Sequence, residues 1–311
     1  MDGILPVMRD LMIIGAGPAG LAAALYATRK RLDYLVISKD LGGKSNYSLK
    51  LPDTDASEVI RADELVTIYK SRLQYLRRSY RLATVTKLIV RDGSFVCALD
   101  NGTQEEARAV IVATGTDFKK LDVPGETTYL SRGIGFSSIS YSHLVAGKRV
   151  FIAGDTDRVL DSALEVSVHA GSVMVALLAG GTFDADLVDR IRRLDRVTLM
   201  SNVTIREFHG EEYATEVVVS TPAGVETIAA DGFFIEPDPG PNTGFIGEGI
   251  PLDSLGHIPV DGRNATSVPG LFAAGDVTGN GYAQILVSLG EGAKAALSAY
   301  RYLLETRPQA Q

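Results

Sequence analysis

The segment Gly15-Ala16-Gly17-Pro18-Ala19-Gly20 constrains this chain more than any other. It follows an apolar run, Leu11 to Ile14, and opens an Ala-rich stretch, Leu21 to Thr28, so the pattern reads strand, glycine turn, helix. Gly15 permits a tight turn, Gly17 lets the backbone approach a pyrophosphate, and Gly20 lets helix and strand pack closely. Pro18 and Ala19 open the helix, where unpaired N–H groups and the positive dipole end hold a phosphate. Tyr34 to Ile37 reads as a second buried strand. An NAD site usually carries an acidic residue at the end of that strand for the ribose; this chain has Ser38, which weakens NAD and is neutral for FAD.

The pattern recurs. Arg149 to Ala153 reads as strand, Gly154 to Asp157 as turn, Arg158 to Ala170 as helix and Ser172 to Leu178 as strand. Two such units imply two nucleotide-type domains with parallel sheets, and 311 residues are enough for both. Pro/Gly-rich seams stand at Asp122-Val123-Pro124-Gly125-Glu126 and at Glu236-Pro237-Asp238-Pro239-Gly240-Pro241. A net charge of −7 argues against a nucleic-acid partner. No apolar stretch reaches the roughly 20 residues of a membrane span, and no signal-peptide pattern is present, so a cytoplasmic protein is expected. Cys97 is the only cysteine, so an internal disulfide is excluded. It sits in a strand-like run and reads as a packed thiol. His143, His169, His209 and His257 are scattered without a carboxylate or i,i+4 partner pattern, and no metal site is expected.

Two further segments carry the cofactor reading. Val110-Ile111-Val112-Ala113-Thr114-Gly115 is a buried strand entering a small-residue turn. Gly270-Leu271-Phe272-Ala273-Ala274-Gly275-Asp276 is another, ending in an acid able to accept hydrogen bonds from ribityl hydroxyls. With the first turn, in this order, they resemble the two-domain flavoprotein reductases, and the low-molecular-weight thioredoxin reductase family in particular. That resemblance covers essentially the whole chain. Leu41-Gly42-Gly43-Lys44 is similar to the family's Gly-Gly-Gln flavin loop, with Lys44 in place of Gln. Val123-Pro124-Gly125-Glu126 and Gly240-Pro241-Asn242-Thr243-Gly244 resemble its two hinges, and Gly275-Asp276 leads through Tyr282-Ala283-Gln284 into a Gly290-x-Gly292 helix.

The resemblance implies an α/β fold of two Rossmann-like three-layer domains. Residues 1–122 and 241–311 would form a discontinuous FAD-binding domain, with a degenerate pyridine-nucleotide-type domain, 123–240, inserted in it. It implies FAD, with Gly43, Lys44 and Asn46 in the flavin loop and Ala113, Thr114 and Gly115 in the second turn. Gly275 and Asp276 would lie at the ribityl chain, and Ala283, Gln284 and Ile285 at the ring edge, with Gln284 and Ile285 turning backbone N–H groups toward its pyrimidine end. Val85 would offer its backbone to adenine, and Tyr47 is a further pocket candidate. It also implies a homodimer formed through the FAD domains.

The departures matter as much. The family's Cys-x-x-Cys falls on Ser137-Ser138-Ile139-Ser140, and the acid after it on Tyr141. A serine hydroxyl forms no reversible two-electron bond with its partner, whereas a thiolate does. Tyr141 and His143 remain as flavin-proximal candidates, His143 as a proton donor to the flavin. The second turn, Gly154-Asp155-Thr156-Asp157-Arg158-Val159, has Thr156 where a phosphate should come close. Leu177-Leu178-Ala179 stands where the family has His-Arg-Arg for the 2′-phosphate, so the NADPH motif is eroded. Arg190, Arg192 and Arg193 read as a solvated helix face.

Three functions stay open on these residues. The first is an FAD-dependent oxidoreductase independent of NADPH, taking electrons from ferredoxin, flavodoxin or a second flavin in the second domain. The second is an NAD(P)H-dependent flavin or ferredoxin reductase without a disulfide. The third is a non-catalytic FAD-binding sensor or binding module.

Overall fold

The computed structural model describes residues 8–52, 54, 62–76, 79–117, 120–236 and 240–307. The chain divides into two compact units: the described residues within 1–46, 60–117 and 240–311, and those within 47–59 and 118–239. Strands and helices are numbered along the chain.

The first unit holds a sheet of β1 (Arg9–Ile14), β2 (Tyr34–Ser38), β3 (Tyr80–Leu82), β4 (Val85–Arg91), β5 (Ser94–Leu99), β6 (Gln104–Val112) and β14 (Leu271–Ala273). Strands β3, β2, β1, β6 and β14 run parallel in that order. The first half of β6 also pairs antiparallel with β5, and β5 with β4. Strand β1 is apolar at successive positions because both its faces are covered. Leu11 and Ile13 face a helical layer, while Met12 and Ile14 face Val85, Leu88 and Phe95 of the β4–β5 arm. Each such side chain taken fully out of water contributes about 1.5–3 kcal/mol before chain entropy is charged against it.

Helix α1 (Pro18–Arg29) buries a face of alanines, and α6 (Ile285–Glu305) crosses it. A Cβ at Gly292 would lie 2.0 Å from the Ala19 carbonyl oxygen, so the helices touch backbone to backbone there. Helix α2 (Ala62–Tyr75) flanks the same layer.

The second unit repeats the plan. Strands β10 (Val197–Gly210), β9 (Ser172–Leu178), β8 (Arg149–Gly154), β13 (Gly232–Ile235) and β7 (Ile134–Gly135) lie parallel in that order. An antiparallel ribbon continues from β10 through β11 (Ala214–Thr221) to β12 (Gly224–Ala229). Helices α3 (Glu126–Tyr129), α4 (Arg158–Val166) and α5 (Ala185–Arg192) complete it. Each parallel sheet therefore carries the strand that enters its glycine turn, β1 or β8, at the point where the strand order reverses. That is where open α/β sheets bind ligands.

Several boundaries differ from the sequence reading. The described residues within 47–59, read with the first domain, belong to the second unit, because Leu49 and Leu51 are buried in its core beside Val150, Ile152 and Phe234. The first seam also lies inside the second unit, whose boundary falls at 117/118. The Phe208 N–H donates to the Pro124 carbonyl at 2.9 Å, and the buried Glu126 carboxylate accepts from the N–H groups of Leu121 and Asp122. Helix α4 stops at Val166 and not at Ala170, turning toward Gly171, where a Cβ would strike the Gly147 carbonyl at 2.5 Å. Of the second seam, residues 237–239 lie outside the described residues, as do residues 1–7. Helix α5 ends at Arg192 with Arg193 as its cap, and Arg192 pairs with Asp189 at 3.2 Å on an exposed face.

Candidate functional site: two glycine turns

Backbone sterics of the first turn explain each glycine. Gly15 has φ +102°, and a Cβ there would sit 2.3 Å from the Ala113 carbonyl oxygen. A Cβ at Gly20 would sit 1.9 Å from the Gly15 oxygen. These two glycines permit contact within the protein. Gly17 differs, because a Cβ there would meet nothing within 4 Å. Its bare face opens on free space at the start of α1, the room a diphosphate needs. No side chain caps α1, its first turn holds no acid and Pro18 has no N–H to lose, so the positive helix end stays available. Ser38, at the end of β2, accepts a hydrogen bond from the Ala16 N–H at 3.1 Å. The hydroxyl that replaces the acid braces the turn itself.

The other sequence-predicted residues of this unit gather around that turn. Gly43 (φ +56°) lies against it, where a Cβ would be 3.2 Å from the Gly17 Cα. Lys44 Nζ donates to Asp276 Oδ2 at 2.5 Å and to Thr116 Oγ1 at 2.7 Å. Asn46 donates to the Leu41 carbonyl at 3.0 Å and accepts from Lys70 at 3.1 Å. Ala113 follows β6, its N–H on the Ile14 carbonyl at 2.7 Å. Thr114 and Gly115 are tied to Asn242: Thr114 Oγ1 donates to the Asn242 carbonyl, the Asn242 amide donates to the Thr114 carbonyl, and the Asn242 N–H donates to the Gly115 carbonyl.

Gly275 (φ +80°) approaches α1, a Cβ there lying 3.2 Å from the Ala19 Cβ. Its N–H donates to Glu291 at 2.7 Å, and Glu291 also accepts from Asn280 at 2.7 Å. Glu291 was missed from sequence, although an acid set between Gly290 and Gly292 is the signal that could have found it. Gln284 is the N-cap of α6 with no side-chain cap, and Ile285 opens that helix after Ala283, so a second uncapped helix start belongs to this unit. Val85 heads β4, its side chain in the core. The residues present fit an FAD: an open glycine face, uncapped helix starts and an acid at the end of a parallel strand.

The second turn is built otherwise. Thr156 stands where the first turn has its bare glycine. A Cβ at Gly154 would be 2.7 Å from the Glu236 carbonyl, so this glycine too serves internal packing. The loop after β9 is hydrogen-bonded down onto the turn. The Thr182 N–H donates to the Asp155 carbonyl at 3.0 Å, and the Asp184 N–H to Asp157 Oδ1 at 2.7 Å. Gly181 lies so close that a Cβ would be 2.6 Å from the Asp155 oxygen. Asp184 in turn caps α5 by accepting from the Leu187 N–H at 2.9 Å. At the start of α4 the N–H of Val159 bonds to the Thr156 carbonyl and that of Leu160 to the Asp157 carbonyl. Leu177 is buried in one core cluster of the second unit and Leu178 packs against the other.

Ser137 and Ser140 do face each other, Oγ to Oγ at 3.0 Å, at the head of a 3-10 stretch, Ser138–Val145. Ser137 takes φ +67°. The buried Glu236 carboxylate, also missed from sequence, accepts from the Ser138 N–H and from Ser162 Oγ, fastening this stretch to α4. Tyr141 packs on the second unit's core, His143 is carried by the same stretch, and Tyr47 is exposed within the second unit.

Two histidines correct the sequence reading. His257 Nδ1 lies 3.3 Å from Asp253, because Asp253 also accepts the N–H groups of Leu255 and His257 and folds the loop back on itself. His209 Nε2 lies 3.4 Å from Glu207 on an exposed strand. Cys97 is buried in the first unit, and burial, with the Glu105 charge second, pushes its thiol up to about 12. Among the described residues no helix is long and apolar enough to cross a membrane.

In Staphylococcus aureus, a subunit of alkyl hydroperoxide reductase is 30% identical over 299 residues, 95% of this chain but 59% of its own length. The chain therefore spans about three fifths of that relative. The thioredoxin reductase structure from Streptococcus pyogenes superposes with a TM-score of 0.86 at 29% identity, covering 97% of this chain and all of that one. The thioredoxin reductase of Giardia duodenalis gives 0.84 at 25% identity, covering 96% and 99%. Residues 9–292 match the family described as pyridine nucleotide-disulphide oxidoreductase. The chain belongs to that family and is an FAD-dependent oxidoreductase with the thioredoxin reductase fold.

Proposed function

We propose that this protein passes electrons through FAD without a disulfide relay and without a pyridine nucleotide as donor. Its donor is then a small redox protein of the ferredoxin or flavodoxin type, or a second flavin. When bound, FAD supplies one- and two-electron chemistry. The backbone from Gly15 to Gly20 binds the diphosphate, Asp276 accepts hydrogen bonds from the ribityl hydroxyls, and the N–H groups at the start of α6 face the ring edge. The exposed Leu286, Leu297 and Leu304 share one side of α6 and supply an apolar stripe for a homodimer.

The observation that carries the donor reading is the loop 179–184, tied by Thr182 and Asp184 onto the second glycine turn. A dinucleotide would have to pass Thr156 and bind without an arginine at positions 177–179. The serine pair supports the rest: two hydroxyls 3.0 Å apart share a hydrogen bond and store no electron pair. Stopped-flow mixing of the flavin-loaded protein with NADPH, and separately with NADH, tests this. The flavin absorbance should stay oxidised for minutes with either. Bleaching within a second would instead support an NAD(P)H-dependent reductase lacking the disulfide.

A further inference from the structure

We infer that Lys44 is a fixed counter-charge of the flavin site, which lets the Asp276 carboxylate and a dinucleotide diphosphate occupy the same cradle. This rests on the reading of the first unit as the FAD site. Three carboxylates surround the first turn. Asp40 accepts the Gly43 N–H at 2.8 Å and Glu291 accepts the Gly275 N–H at 2.7 Å, so both serve to hold glycine backbones in place. Asp276 is the third, and its partner is Lys44, which also binds the hydroxyl of Thr116. The nearby Lys39 is paired with Asp117 at 3.0 Å.

Position makes the pair more than a surface ion pair. Gly43, next to Lys44, abuts Gly17, whose bare face is the phosphate seat. Gly275, next to Asp276, abuts Ala19 in the first turn of α1. The chain on either side of the pair thus lies against the first glycine turn, at Gly17 and at Ala19. A diphosphate brings about two further negative charges to a place that already holds carboxylates, and charges of like sign a few ångströms apart repel. Lys44 offsets that repulsion. The ammonium keeps its positive charge whichever oxygens it bonds, so the offset does not need a direct bond to the phosphate. A glutamine at 44 would keep a hydrogen bond to Asp276 and lose the charge.

The test is FAD affinity as a function of salt for the wild type, Lys44→Gln and Lys44→Arg, read by quenching of flavin fluorescence on adding flavin-free protein. At about 0.02 M salt, where screening is weak, Lys44→Gln should bind FAD about tenfold more weakly than wild type. The gap should close at about 0.5 M salt, and Lys44→Arg should stay within about twofold of wild type. Thermal melting of the flavin-free proteins measures separately what the exchange costs in folding, and Lys44→Arg, which keeps the charge, should keep the wild-type Tm. Equal affinity of Lys44→Gln and wild type at low salt overturns the inference, and so does a gap that ignores salt, which marks a packing effect. If Lys44→Gln does not fold, the wild type decides: an FAD affinity indifferent to salt overturns the inference. A wild type that takes up no FAD at all overturns the cofactor reading as well.

Discussion

The two glycine turns of this protein share a position, at the end of the strand where the order of a parallel sheet reverses, and differ in the residues they present there. In the first, Gly17 leaves empty space beside an uncapped helix. In the second, a threonine side chain stands at 156 and a loop is hydrogen-bonded to the turn at Asp155 and Asp157. Fold and topology alone do not separate them. The difference lies in a bare glycine face in one turn and, in the other, a threonine beside a loop whose N–H groups donate to the turn's Asp155 carbonyl and Asp157 carboxylate.

The largest effect that would sharpen this contrast is at Gly17. Its φ of −70° suits any residue and a Cβ would strike nothing, so Gly17→Val should fold as wild type does. The valine would fill the phosphate space, and FAD affinity should drop by about a hundredfold or more, on the order of 3 kcal/mol. Titration with FAD alongside thermal melting checks both halves. A Gly17→Val protein that binds FAD normally would mean that this turn is not the seat. A smaller effect belongs to the second turn. Asp157→Ala removes the acceptor for the Asp184 N–H at an exposed site, which should cost about 0.5–1.5 kcal/mol and lower the Tm by a few degrees. It should confer no measurable NADPH binding, because Thr156 and the aliphatic run at 177–179 remain. Detection of NADPH binding by calorimetry in this variant would show that the loop alone closes the site.

How far the sequence could be read followed from the range of the interactions involved. The strand, glycine turn and helix at residues 11–28 were legible because steric exclusion dictates the residue types, and strand 172–178 and the long helix from Ile285 were legible from apolar pattern. Contacts between distant positions were not. Nothing local to Ser38 announces its bond to Ala16, nor to Asp184 its bond to Asp157. Leu49 and Leu51 carry no mark of the unit whose core they join, and so the segment from 47 was placed with its sequence neighbours. His257 looked isolated because its carboxylate arrives through a loop turn and not along a helix. Lys44 was legible as a substitution for glutamine, but its reach to Asp276 and Thr116 needed coordinates.

The unequal occupancy of the two turns is tested most directly by counting nucleotides on one preparation. The purified protein is saturated with FAD and NADPH, freed of excess by gel filtration, denatured, and its released ligands are separated and measured. One flavin and no nicotinamide nucleotide per chain is the expected result. A stoichiometric amount of NADPH, or a protein that leaves the column without flavin, would contradict it.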